Sequence, residues 1–294
     1  IAANLIAGMY SVTLSDINGC SASASVIITS PVDIDATAVQ IIPVTCNGGS
    51  NGIAQLIVSG GNDPYNITWS NGSTSGVLNN VGAGTYFLVN LSAGTYTIQI
   101  TDQDLCIETI SFNITQPSAI NGSFSVSQNV SCNSGNNGSS SLTISGGVAP
   151  YNVNWTNGIT TGNLASAGNG PHSLTGLTSG NYSVTISDAN LCSGVFTFTI
   201  TQPVALTSTL NLIQQPSCNG NSDAEIQVSF NGGTPPFSFS WTNGAFSGSQ
   251  AGVNEGPHTI TGLTAGVFNI TVTDSQACTY SAMATISQPN ALTL

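Results

Sequence analysis

The chain has 294 residues, no Lys and no Arg, 12 Asp and Glu, and a formal net charge of −12. That composition excludes a basic face for nucleic acid or anionic lipid. It also excludes lysine chemistry of every kind, from Schiff bases to Lys–Asn isopeptide crosslinks, and any side-chain salt bridge except through a protonated His. Hydrophobic residues make up 40% and charged residues only 4%, so Ser, Thr, Asn and Gln do the solvating. Stability must then come from core burial, backbone ladders and disulfides. No apolar run approaches the roughly 18 residues of a membrane helix, and a trypsin-like protease finds no cleavage site.

The chain repeats with a fixed period: Trp69, Trp155 and Trp241 are evenly spaced (155 − 69 = 241 − 155 = 86). Cys46, Cys132 and Cys218 keep the same step, as do Cys20, Cys106, Cys192 and Cys278, and Pro31, Pro117, Pro203 and Pro289. A period this long marks tandem copies of a whole domain. Residues 1–31 read as the C-terminal part of a preceding repeat, 32–117, 118–203 and 204–289 as three full repeats, and 290–294 as the start of the next. On this reading the chain is a window on a longer protein, with targeting signals outside it.

Along one repeat the pattern is period two, which predicts half-buried antiparallel strands. Leu56/Leu142/Val228 and Val58/Ile144/Phe230 alternate with polar residues, and a Gly-Gly pair such as Gly60-Gly61 then breaks the strand. Tyr65, Ile67 and Trp69 and their copies follow on one face, with the Trp expected at the centre of the core. Asn71-Gly72, Asn157-Gly158 and Asn243-Gly244 make turns. Tyr96-x-Ile98-x-Ile100 predicts a strand ending on Asp102, and Ile110-x-Phe112-x-Ile114 the last one. The fold class expected is all-β: immunoglobulin-like β-sandwiches of about seven strands. Direct joints at Gln116-Pro117, Gln202-Pro203 and Gln288-Pro289 leave almost no linker, which predicts an extended rod.

The seven Cys lack a metal-binding CxxC pattern and point to an oxidising compartment. Two pairings compete. Within a repeat, Cys46–Cys106, Cys132–Cys192 and Cys218–Cys278 would each close 106 − 46 = 60 residues, adding about 4 kcal/mol by chain entropy. In an immunoglobulin-like path, however, the early Cys lies at one end of the domain and the late Cys at the other. Cross-repeat pairs, Cys46–Cys192 and Cys132–Cys278, would instead staple neighbours. The within-repeat pairing has a slight edge because it lets each domain fold alone; free buried thiols are the third reading.

No chemistry-bearing constellation recurs. His172 and His258 each follow Gly-Pro, with Tyr86 at that place in the first copy; without converging ligands they read as structural loop residues. Asp16, Asp102, Asp188 and Asp274, four residues before each late Cys, read as Asx-type turn caps rather than Ca²⁺ ligands. The Trp residues share a face with Tyr65 and Ile67 and read as core rather than a sugar-stacking platform. With no nucleophile elbow, recurring carboxylate pair or His-paired nucleophile, no enzymatic activity and no cofactor are expected.

Cys46-Asn-Gly-Gly-Ser-Asn-Gly52, Gly60-Gly-Asn-Asp-Pro-Tyr-Asn-Ile-Thr-Trp-Ser-Asn-Gly72, Leu91-Ser-Ala-Gly-Thr-Tyr96 and Thr101-Asp-Gln-Asp-Leu-Cys106 together resemble the SprB-type repeat of bacteroidete cell-surface gliding adhesins. The resemblance spans nearly the whole chain, with drift such as Phe237 for Tyr. It implies an extracellular, cell-surface protein exported by type IX secretion. Its partners would be the motility or secretion machinery, and a surface or polysaccharide at an unseen tip. The leading expectation is a structural stalk segment of an adhesin filament, because surface segments such as 73–83 and 245–255 drift between copies. The alternatives are a multivalent weak polysaccharide- or surface-binding module, with 73–83, 159–169 and 245–255 as its contact loops, or a spacer in a secreted multidomain enzyme.

Overall fold

The computed structural model describes residues 1–293, and every regular element in it is a β-strand. The chain divides into two compact units, Ile1–Ala119 and Ile120–Leu294. The first unit opens with a hairpin of β1 (Gly8–Ser15) and β2 (Ser21–Ile28). It continues with β3 (Ile34–Ile42), β4 (Gly52–Gly60), β5 (Tyr65–Ser70), β6 (Ser75–Val81), β7 (Gly84–Leu91), β8 (Gly94–Thr101) and β9 (Ile107–Ile114). These form a three-stranded sheet, β3-β4-β7, and a four-stranded sheet, β6-β5-β8-β9.

The second unit repeats the plan twice. Its first copy has β10 (Asn121–Gln128), β11 (Gly138–Ser145), β12 (Tyr151–Thr156), β13 (Thr161–Ala167), β14 (Gly170–Leu177), β15 (Gly180–Ser187) and β16 (Ser193–Ile200). Its second has β17 (Thr207–Gln214), β18 (Ala224–Asn231), β19 (Phe237–Thr242), β20 (Ser247–Val253), β21 (His258–Leu263), β22 (Gly266–Thr273) and β23 (Thr279–Ile286). Their sheets run β10-β11-β14 with β13-β12-β15-β16, and β17-β18-β21 with β20-β19-β22-β23. Every pairing is antiparallel; one is β5 against β8 with Trp69 opposite Ile98. Three strands over four, joined as in an immunoglobulin-like sandwich, is the architecture expected from the alternation.

Each copy closes its own core. In the first, Leu56 of β4, Ile67 of β5, Leu88 of β7 and Ile98 of β8 are fully buried and pack between the sheets. Equivalent clusters form around Leu142, Val153 and Val184, and around Val228, Phe239 and Ile270. The period-two pattern is the cause: β8 buries Tyr96, Ile98 and Ile100 and exposes the residues between them. Tyr96 and Tyr182 also tie down the preceding turn, their hydroxyls accepting from the Ser92 and Thr178 amides at 3.1 Å.

The tryptophans depart from expectation in one respect. Trp69, Trp155 and Trp241 are half-buried and pack against the margin of each core, not its centre. The centre belongs to Tyr65 and Ile67 and their counterparts, which are fully buried. Each Trp covers a glycine on the neighbouring edge strand: Gly76, Gly162 and Gly248 lie so close that a Cβ would fall inside the indole ring's envelope. The ring fills the space a side chain would take, and this pairing recurs in all three copies.

A direct consequence can be measured. Gly162→Ala must push Trp155 off its seat and is expected to cost about 1–3 kcal/mol of stability. Gly168→Ala, where an added Cβ meets open space, is expected to change it by less than about 0.5 kcal/mol. Urea unfolding of the two variants makes the comparison.

Candidate functional site

The features that recur most faithfully lie at the ends of the sandwiches, on either side of the Pro joints. At one end is the loop between the first two strands of a repeat. In the first copy Asn47 Nδ2 donates to the Pro117 carbonyl at 3.0 Å, and the Gly48 amide donates to Gln116 Oε1 at 2.8 Å. The second copy repeats this with Asn133 to Pro203 at 3.0 Å and Ser134 to Gln202 at 2.8 Å. The third does so with Asn219 to Pro289 at 3.1 Å and Gly220 to Gln288 at 2.9 Å. In the first two copies a backbone bond adds to the clamp, from Val44 to Thr115 and from Val130 to Thr201. The Gln-Pro exit of each repeat is therefore held against the loop that carries its early Cys.

The same loop is braced from within. Asn51 Oδ1 accepts from the Thr45 amide at 3.0 Å, Asn137 Oδ1 from Ser131 at 2.9 Å, and Asp223 Oδ1 from Ser217 at 3.1 Å. The Ser217 hydroxyl, and after it the Ser217 amide, hold the Asp223 carboxyl below the usual carboxylate range.

At the opposite end the late Cys sits in a turn organised by a buried Asp. Asp188 Oδ1 accepts from the amides of Asn190 and Cys192, both at 2.9 Å, and Oδ2 from Val148 at 3.0 Å. Asp274 does the same with Gln276, Cys278 and Thr234, and Asp102 with Cys106 and Asn62. These carboxylates are 2–5% exposed. In a chain without Lys or Arg, only polar hydrogens can compensate such a buried anion. The expected turn cap is there, and it also reaches about 40 residues back to the Gly-Gly loop. Leu105, Leu191 and Ala277 adopt positive φ in the same turn.

Two of these ends are joined covalently. Cys132, between β10 and β11, is bonded to Cys278, between β22 and β23, with 5.6 Å between Cα atoms and 146 residues between them in sequence. Cys278 Sγ also lies 3.5 Å from the Ser131 carbonyl. This corrects the slight preference for within-repeat pairing. Cys132–Cys192 and Cys218–Cys278 are incompatible with the observed bond, and Cys46–Cys106 with a free Cys106. The reason is geometric: an eight-residue strand spans about 26 Å, beyond disulfide reach. Cys46 and Cys192 are not free either, whereas Cys20, Cys106 and Cys218 are. Burial, followed by the Asp102 carboxylate, pushes the Cys106 thiol above its ordinary pKa.

The remaining candidates take structural places. His172 Nε2 and His258 Nε2 each bond the carbonyl four residues back, Gly168 and Asn254, at 2.9 Å. Tyr86 uses its hydroxyl on Gly82 in the same way. Among the described residues no group of three or more His, Cys, Asp or Glu is placed to hold a metal ion. Segments 73–83, 159–169 and 245–255, expected as loops, each contain an edge strand, β6, β13 or β20, paired to its Trp strand. Sequence reasoning missed the clamp of Asn47, Asn133 and Asn219 on the Gln-Pro joints. Its signal was present, since both partners recur with the period.

Comparison with known families gives the repeat a name. The family model described as "SprB repeat" matches residues 38–74, 125–160 and 211–246. Each of the three copies thus holds one stretch similar to the SprB repeat. The matched stretches run from the first strand of each copy through its Trp strand, so they include the early Cys and the Asn of the clamp. No curated protein matches the chain. Among solved structures, titin I-band fragment I67–I69 is 16% identical over 90% of this chain and all of the fragment, at a TM-score of 0.36. Three N-terminal domains of the bacteriophage RB49 outer capsid protein Hoc are 13% identical over 88% of this chain and all of theirs, also at 0.36. The eight N-terminal immunoglobulin domains of Down syndrome cell adhesion molecule are 16% identical over 99% of this chain and 44% of theirs, again at 0.36.

Asp188→Ala strands three amides that now share one carboxylate and is expected to cost about 2–4 kcal/mol in the second repeat, read by urea unfolding. Asp223, its pKa depressed in the folded state, contributes stability above the usual carboxylate pKa and loses it as pH falls through the folded value. Amide exchange at Ser217 is therefore expected to quicken on acidification, once corrected for intrinsic rate, and Asp223→Asn to remove that dependence.

Proposed function

We propose that this chain is a load-bearing stalk segment of a long cell-surface adhesin, exported by type IX secretion, whose adhesive or gliding role is executed elsewhere in the protein. The observation that carries the reading is the Cys132–Cys278 bond between consecutive repeats. Tension entering before Cys132 and leaving after Cys278 passes through the sulfurs. The residues between them lie off the load path, so the strands they form can separate without lengthening the chain, and of these two sandwiches only β10 and β23, outside the bond, carry the pull. A binding domain has no need of that arrangement, whereas a tether under pull does. The hydrogen-bonded Gln-Pro joints support the same reading, because they remove the slack a flexible linker would leave.

Extracellular placement rests on the disulfide, which persists in oxidising compartments, and on the absence of Lys and Arg, which denies trypsin-like proteases a site. A non-enzymatic role rests on the structural occupation of His172, His258 and the recurring Asp residues.

A second reading, weak polysaccharide binding multiplied by repetition, has one observation in its favour. The outward face of the four-stranded sheets is tiled with uncharged polar groups, such as Asn154, Asn163 and Thr185 around a shallow depression in the second repeat. The equivalent places in the first repeat are Thr68, Val77 and Gln99, so the tiling drifts, while half-buried Trp155 and Trp69 line both depressions.

The purified chain is therefore expected to show no retained binding to a panel of neutral and acidic polysaccharides or to glass. Saturable binding that disappears in the triple variant Asn154→Ala, Asn163→Ala, Thr185→Ala would overturn the stalk reading in favour of the adhesive one.

A further inference from the structure

The free cysteines are not scattered. Cys218 holds the position of Cys132 one period later, and Cys106 the position of Cys278 two periods earlier. Each stands in a half-site whose counterpart is occupied in the same molecule.

At Cys218 the loop is already built as it is at Cys132. Asn219 reaches the Pro289 carbonyl at 3.1 Å where Asn133 reaches Pro203 at 3.0 Å. Gly220 bonds Gln288 at 2.9 Å where Ser134 bonds Gln202 at 2.8 Å. Beside Cys218 is a depression of about 410 Å³ lined by Ser217, Asn219, Pro289 and the fully exposed Leu292. At the other half-site the Cys106 amide bonds Asp102 at 2.8 Å, as the Cys278 amide bonds Asp274 at 2.8 Å. A depression of about 480 Å³ there is lined by Pro31, Val32, Cys106 and Ile107, and Val32 and Ile107 expose more than half of their surface. Cys218 is exposed, whereas its counterpart Cys132 is half-buried in the bond it makes; Cys106 and its counterpart Cys278 are both half-buried.

We infer that the surfaces around Cys218 and Cys106 are the two complementary halves of one docking site for a further copy of this same repeat. Cys218 takes the Asp-x-x-x-Cys turn of a following copy, and Cys106 takes the Cys-Asn loop of a preceding one. Each contact closes as a disulfide across the step seen between Cys132 and Cys278, so that the staple belongs to every joint. The oxidant is a small-molecule or protein disulfide. One thiolate attacks it and forms a mixed disulfide, releasing the first oxidant thiolate. The second cysteine's thiolate then attacks that mixed disulfide at the first cysteine's sulfur and releases the other. Two protein thiols are oxidised, one disulfide is reduced to two thiols, and the two protons lost by the cysteines are taken up by the departing thiolates.

The test lengthens the whole chain by a copy of residues 209–289 placed after Leu294, since residues 290–294 align with 204–208. The purified protein is equilibrated with oxidised and reduced glutathione, alkylated, cut with an Asp-specific protease and mapped by mass spectrometry without reduction. The expected result is a bond from Cys218 to the copied Cys278, with three alkylated thiols: Cys20, Cys106 and the copied Cys218. In a second lengthened chain, with the copied Cys278→Ser, Cys218 is expected to become alkylated while Cys132–Cys278 persists. The Cys132–Cys278 bond in the same sample reports that joints have formed. If that bond is present and both Cys218 and the copied Cys278 are alkylated, or if Cys218 pairs with any other cysteine, the inference is wrong. Absence of the Cys132–Cys278 bond would overturn it as well, by removing its template.

Discussion

Two cysteines that belong to one repeat cannot reach each other, because the sandwich between them is a strand long. Everything distinctive about this chain depends on that separation. The early Cys sits in the loop after the first strand, and the late Cys in the turn before the last, at opposite ends of the sheets. A disulfide tolerates only about 4.4–6.8 Å between Cα atoms, and an eight-residue strand spans about 26 Å. The bond therefore forms between neighbours, Cys132 to Cys278 across 146 residues. A loop that long constrains the unfolded chain by about 5 kcal/mol on the chain-entropy view. More importantly, it changes where force runs.

The absence of cations shapes the rest. An anionic chain without Lys or Arg has no ion pairs with which to brace its turns, so its carboxylates serve as acceptors for backbone amides. Asp274 gathers three of them at 2.8–2.9 Å and ties the turn of Cys278 to the Gly-Gly loop. Amide side chains do the corresponding work at the other end, where Asn133 and Gln202 hold the Pro203 joint. Both halves of the staple are thus placed by hydrogen bonds that are indifferent to salt. Charge-based braces would be screened by it.

Much of this was legible in the residues. Strand alternation depends only on which side chains can face a core, so Tyr65, Ile67, Ile98 and Ile100 read out their own burial. The sandwich and its seven strands followed. What did not follow were contacts between residues far apart in sequence. The Asn47 bond to Pro117 crosses 70 residues, and both partners are ordinary polar residues whose periodic recurrence was the only trace. The Trp was placed too deep, because an aromatic in a period-two strand looks central until the glycine opposite it, Gly76, is known to leave a gap at the sheet's edge. For the cysteines, strand topology favours the cross-repeat pairing, whereas independent folding of each repeat favours the within-repeat one. Segments 73–83 and their copies looked like loops because their composition drifts; an edge strand with one exposed face has that freedom.

A stalk made of stapled sandwiches differs from a plain string of domains in what happens when the sandwiches open. The chain pulled from its ends by optical tweezers or an atomic force microscope, with and without a disulfide reductant, gives the most direct measurement. At about 3.4 Å per extended residue, the 146-residue span closed by the bond corresponds to roughly 500 Å of hidden length. The fully extended oxidised chain is predicted to be shorter than the reduced one by at least that amount. Equal lengths in the two conditions would contradict the load path through the sulfurs and return the repeats to independent beads.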